Sequence, residues 1–129
     1  MAGTLVLDTI QDGSGNSTPS INPIRGSAKA WLRFNSNGTI INSFNISSVT
    51  STAQGEWVIN FTTAMPNNQY VFMAFTTDIA GGVNLAITNE NEDYAKTNSS
   101  FGILSYYGGY NQPRQAWNGR VFSVVVFSS

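Results

Sequence analysis

From Ser27 to the C-terminus this chain reads as β-structure, and in its clearest runs apolar residues recur with a period of two, the spacing that puts alternate side chains on opposite faces of a β-strand. The run SAKAWLRF sets Ala28, Ala30, Leu32 and Phe34 against Lys29, Trp31 and Arg33. The NSNGT that follows supplies turn chemistry through Asn37 and Gly38, so a hairpin is predicted. After TIINSFNISSVT, the run GEWVINFTT places Trp57, Ile59 and Phe61 on one face and Glu56, Val58, Asn60 and Thr62 on the other. No window shows a sustained helical period with caps, and no internal repeat is evident. An all-β fold follows, an antiparallel sandwich of jelly-roll-like kind.

Two runs are apolar on both faces. In NQYVFMAFTT, Tyr70, Phe72 and Ala74 oppose Val71, Met73 and Phe75, and RVFSVVVFSS behaves likewise from Val121 to Phe127. Such strands need cover on two sides, either deep within one subunit or at a subunit interface. Trp31, Tyr70, Phe72 and Val125 are the candidate interface residues. Trp31, between Lys29 and Arg33, is either a covered interface residue or a partly exposed neighbour of two cations.

The first 26 residues differ from the rest. Leu5, Val6, Leu7 and Ile10 form a short strand-like run, and QDGSGNSTPSINP reads as an extended linker. We therefore divide the chain into residues 1–26, a sticky peptide on a tether, and residues 27–129, a β-sandwich domain. The short apolar stretch, without a basic lead-in and with Asp8 inside it, fits neither a signal peptide nor a membrane span.

Composition narrows the function. With 129 residues the chain fits one domain, and only 10% are charged, well below the quarter or so usual for soluble domains. Six Lys and Arg against seven Asp and Glu give a formal charge of −1, which offers phosphate backbones no general attraction; no nucleic-acid partner is expected. There is no Cys and no His, so thiolate sites, disulfides and the commonest general base are missing. Glu90, Glu92 and Asp93 offer oxygen ligands, but their spacing matches no calcium loop, and a solvated loop explains them better. Ser27 and Lys29 suggest a nucleophile and base only formally, since no oxyanion donors accompany them. The Asn-x-Ser/Thr triplets at Asn37, Asn45, Asn60 and Asn98 reflect composition. A depolymerase would need a carboxylate pair that these acids do not assemble. No enzyme, metal or cofactor is expected.

One stretch has the chemistry of a contact surface. In YYGGYNQPRQAWNGR, the rigid amphipathic groups Tyr106, Tyr107, Tyr110, Arg114 and Trp117 sit among glycines and amide side chains, suited to stacking on sugars or on protein. The competing reading is that Trp117 and one or two tyrosines cap the end of the sandwich.

The strings AKAWLRFN and SFNISSVTSTAQGEWVINFTTAMPNNQYVF, spanning Ala28 to about Phe72, resemble a domain recurrent in tailed-bacteriophage tail fibres and minor virion structural proteins, whose pattern runs AKAW, F, SFNVSSVT, G, Y, VNFTTAMP, Y. The closing VFSVVVFS is similar to that domain's last strand, and MAGTLVLDTI looks like the virion-attachment leaders of such proteins. Trp57 stands where the pattern has Tyr, and residues between Thr76 and Trp117 do not align. The resemblance carries over no catalytic residues. It implies a homotrimeric appendage on the particle exterior, a short tail or head fibre. Its leader (Leu5, Val6, Leu7, Ile10) would join another virion protein of capsid, portal, neck or tail, and its outer loop would meet a host surface glycan, with no membrane partner. A capsid decoration protein and a free carbohydrate-binding module are the alternative classes.

Overall fold

The computed structural model describes residues 3, 6–19, 26–77, 85–108, 115–116 and 118–128. In chain order the strands are β1 (Thr9–Gln11), β2 (Ser17–Pro19), β3 (Ala28–Asn35), β4 (Ile40–Phe44), β5 (Ile46–Ala53), β6 (Glu56–Phe61), β7 (Val71–Thr76), β8 (Leu85–Glu90), β9 (Ser100–Gly108), β10 (Gln115–Ala116) and β11 (Val121–Phe127). Every pairing is antiparallel. One sheet of the sandwich runs β4-β3-β11-β7; in the other, β6 pairs with β5 and β9, β8 lies along β9, and β10 continues beside the end of β9. The domain is an all-β sandwich, as the alternating pattern predicts.

The strongest alternations became the core. Trp57, Ile59 and Phe61 of β6 are buried while Glu56, Val58 and Asn60 are half-buried on the opposite face. Ala30, Leu32 and Phe34 of β3 are buried with Phe122, Val124 and Val126 of β11. Phe34, Trp57 and Phe122 form one aromatic cluster, and Phe61, Tyr70, Phe72 and Phe101 form a second. Aromatic side chains that each bury about 150–250 Å² supply the largest favourable contribution available to a chain without disulfides.

The predicted β3–β4 turn forms. Asn35 Oδ1 accepts from the Thr39 amide at 3.0 Å, and Gly38 takes a φ of 82°, a conformation most side chains avoid. Between β4 and β5 the chain leaves one sheet for the other at Asn45, whose φ of 57° is left-handed. Its side chain fastens this corner: Nδ2 donates to the carbonyls of Lys29 and Thr63, and Oδ1 accepts from the Thr63 amide at 2.7 Å. Asn is among the few residues that adopt this backbone readily.

Within the stretch expected to run as an extended tether, β1 and β2 pair as a hairpin. Asp12 organises its turn, accepting from the Ser14 amide, the Asn16 amide and Asn16 Nδ2 at 2.8–3.0 Å. Those donors, the Asn16 side chain foremost, hold the Asp12 carboxyl below the usual carboxylate range.

Candidate functional site

The strands with two apolar faces decide where the candidate surface lies. Tyr70, Phe72 and Ala74 turn toward the core, whereas Val71, Met73 and Phe75 of β7 remain exposed on the outer side. The register of β11 repeats the division, with Val125 opposite both Trp31 and Met73 on the outward side. Trp31 in turn faces Phe44. Since directly opposed residues of an antiparallel pair share a face, Phe44, Trp31, Val125 and Met73 form one apolar row across all four strands. Val71 and Phe75 extend it along β7. Trp31, Phe44, Val71, Met73 and Phe75 are exposed by 38, 54, 64, 52 and 64% respectively.

Beside the apolar row the same face carries a polar one, Asn42, Arg33 and Ser123, which ends on Phe75. No Asp or Glu occurs in β3, β4, β7 or β11, and their only cations are Lys29 and Arg33, two residues to either side of Trp31. Where β7 meets β8, the strands Val71–Phe75 and Thr88–Glu90 together with Lys96 line a groove of about 500 Å³. Lys96 Nζ bridges it, 3.5 Å from Glu90 and donating to the Tyr70 carbonyl at 3.2 Å.

Of the four residues expected at an interface, Trp31 and Val125 lie on the outer face and Phe72 packs partly against the core. Tyr70 is in the core rather than at a surface. Its hydroxyl donates toward the carbonyls of Thr97 and Ser100, each at 2.9 Å, and burial, reinforced by the Glu90 charge, pushes its pKa well up. A strand whose apolar residues alternate strictly can give the core only one of its faces, and Tyr70 is on the face that the second aromatic cluster covers.

The expected contact loop is only partly placed. Tyr106 is largely buried, and its hydroxyl accepts from Asn89 Nδ2 at 3.0 Å. Tyr107 lies in β9 opposite Gln115, while Tyr110, Arg114 and Trp117 lie outside the described residues. In the leader, Val6, Leu7 and Ile10 are exposed, and Leu5 lies outside the described residues.

Among the described residues the polar groups of catalytic type singled out in the sequence lie apart. Lys29 Nζ donates to Ser27 Oγ at 2.9 Å at the exposed start of β3. In the acidic loop, Asn91 is buried and its Oδ1 accepts from the Asp93 amide, while Glu92 and Asp93 face outward. Among the described residues no three acidic side chains gather as a metal site. Comparison with protein-family models, with curated proteins and with solved structures gives no significant match.

Proposed function

We propose that this protein is a structural component of a tailed-phage particle, a short fibre or decoration subunit that acts by assembly and contact. The observation that carries the reading is the wording of residues 28–72, which resembles the recurrent virion domain along a continuous stretch of framework. Those strings supply β3, the β4–β5 corner and β6, and the positions that match the pattern include Ala30, Phe34, Asn45, Phe61, Met65 and Tyr70, which fill or fasten the sandwich. A likeness concentrated in residues that determine the fold supports a shared domain.

In this reading the sandwich self-associates as a homotrimer on the particle exterior, the exposed Val6, Leu7 and Ile10 attach it to another virion protein, and Tyr107, Tyr110 and Arg114 supply the contact with the host. The sparse charge and the apolar outer face of β4-β3-β11-β7 suit a protein held among copies and neighbours. The test is the composition of purified particles. Mass spectrometry should find the chain in the virion, and immunogold labelling should place it outside the shell or tail. Replacing Val6, Leu7 and Ile10 with Ser should leave the domain folded and strip it from particles. Particles that never contain the chain would overturn the proposal, and normal incorporation of the leader variant would move attachment to the sandwich. With incorporation intact, Ala at Tyr107, Tyr110 and Arg114 should weaken adsorption to the host; unchanged adsorption would favour the decoration role.

A further inference from the structure

We infer that the outer face of the β4-β3-β11-β7 sheet is the surface through which copies of this chain associate, with the row Phe44, Trp31, Val125 and Met73 at its centre and Val71 and Phe75 on its flank. The inference rests on the self-association part of the preceding reading and is independent of where in a particle the protein sits.

Size comes first. Large side chains can each bury about 150–250 Å², so Trp31, Phe44, Val71, Met73 and Phe75, exposed by 38–64%, leave roughly 500 Å² of apolar surface open. A contiguous apolar patch on a lone domain is seldom larger than about 300–600 Å², and patches at that limit commonly mark a contact site. Two such faces meeting would bury on the order of 1,000 Å², about the least that a specific interface needs.

The occupant follows from the charges. A partner held by phosphate or carboxylate groups would call for a field of cations, and the described strands carry only Lys29 and Arg33, both on β3 and on opposite sides of the row. Long basic side chains can lay their stems along the apolar stripe and keep their charges at its rim. A second copy then brings apolar surface to apolar surface, with no carboxylate within the four strands to desolvate and the Glu90 carboxylate at the β7 edge already paired with Lys96. The two-sided apolar character of β7 and β11 is satisfied in the same way: one face is covered by the domain's own core, the other by a neighbouring copy. Among the described residues of the opposite sheet, β5 exposes Ser48, Thr50 and Thr52 in place of large apolar groups.

The test is sedimentation equilibrium of the full chain at tens of micromolar, beside the variants Met73→Glu, Trp31→Ala and, on the opposite sheet, Thr50→Glu. Circular dichroism and thermal melting report on folding. The wild-type chain should be oligomeric and stay so when salt is raised, because the contact is apolar. Met73→Glu and Trp31→Ala should fold and associate at least tenfold more weakly, and Thr50→Glu should behave as the wild type. A wild-type monomer would overturn both self-association and this surface, and binding of that monomer to anionic vesicles would assign the face to lipid. A wild-type oligomer that both folded variants leave intact would overturn this surface alone and place the contact elsewhere. If Met73→Glu fails to fold, Trp31→Ala decides.

Discussion

Phe34 and Phe122 are cross-strand partners in β3 and β11, and their rings stack with centroids 4.7 Å apart and planes 10° from parallel. The contact joins the first strand of the sandwich to the last, and Trp57 of the opposite sheet closes on both rings. The domain's ends are thus held together by the β3–β11 ladder and by aromatic packing, without a disulfide. Phe122→Ala should lower stability by about 3–5 kcal/mol, the usual cost of an emptied aromatic site, and Phe122→Leu by less. Urea denaturation read by tryptophan fluorescence checks both; a loss below about 1 kcal/mol for the Ala variant would show that the site collapses without cost.

Asn45 holds the corner between the sheets by backbone conformation and side-chain hydrogen bonds together. Asn45→Ala should lose both and cost about 1–3 kcal/mol, while Asn45→Gly, which keeps the left-handed backbone at little strain, should lose less. Equal losses in chemical denaturation would mean that the hydrogen bonds alone matter.

Tyr70 links stability to alkaline pH. Its folded pKa lies above the unfolded value of about 10, so the native state keeps a proton that the unfolded chain releases. Stability should therefore be level with respect to this group below that pH and fall as pH rises beyond it. Tyr70→Phe should flatten that alkaline decline while costing about 1 kcal/mol at neutral pH for the lost hydroxyl contacts. Melting temperatures of the two proteins across the alkaline range give the comparison, and parallel curves would exclude Tyr70 as the source.

Asp12 makes the opposite linkage in the β1–β2 hairpin. Its carboxyl is held below the ordinary 3.8, so the turn it organises should be fully formed above that value and loosen as pH falls through the lowered one. Amide chemical shifts of Ser14 and Asn16 should titrate together at that point, and Asp12→Ala should remove the transition. Shifts that move independently would show that the carboxylate does not hold the turn.

The strands with one polar face and the turn between β3 and β4 follow from local pattern alone. In β6, Trp57, Ile59 and Phe61 can reach only one side, and a polar opposite face leaves no choice about which side is the core. At Asn37–Gly38 the turn preference is local, so neighbouring residues suffice to specify it. The hairpin around Asp12 was legible only as loop chemistry, because Gly, Ser and Asn favour turns and tethers alike, and the carboxylate's donors become visible only once the turn closes. Asn45 gave no signal in a chain rich in Asn, since its role depends on carbonyls 16 and 18 residues away.

Which face of β7 and β11 lies inside is set by the packing of the two sheets. Alternation states which residues share a face, and when both faces are apolar it cannot rank them. The choice is made by strand order: β11 lies between β3 and β7, and the opposite sheet covers the side carrying Phe122, Val124 and Val126. That choice sent Tyr70 into the core and left Met73 and Val125 in line with Trp31. The candidate surface is therefore a product of register between strands up to about 90 residues apart, a non-local relation that no single segment contains.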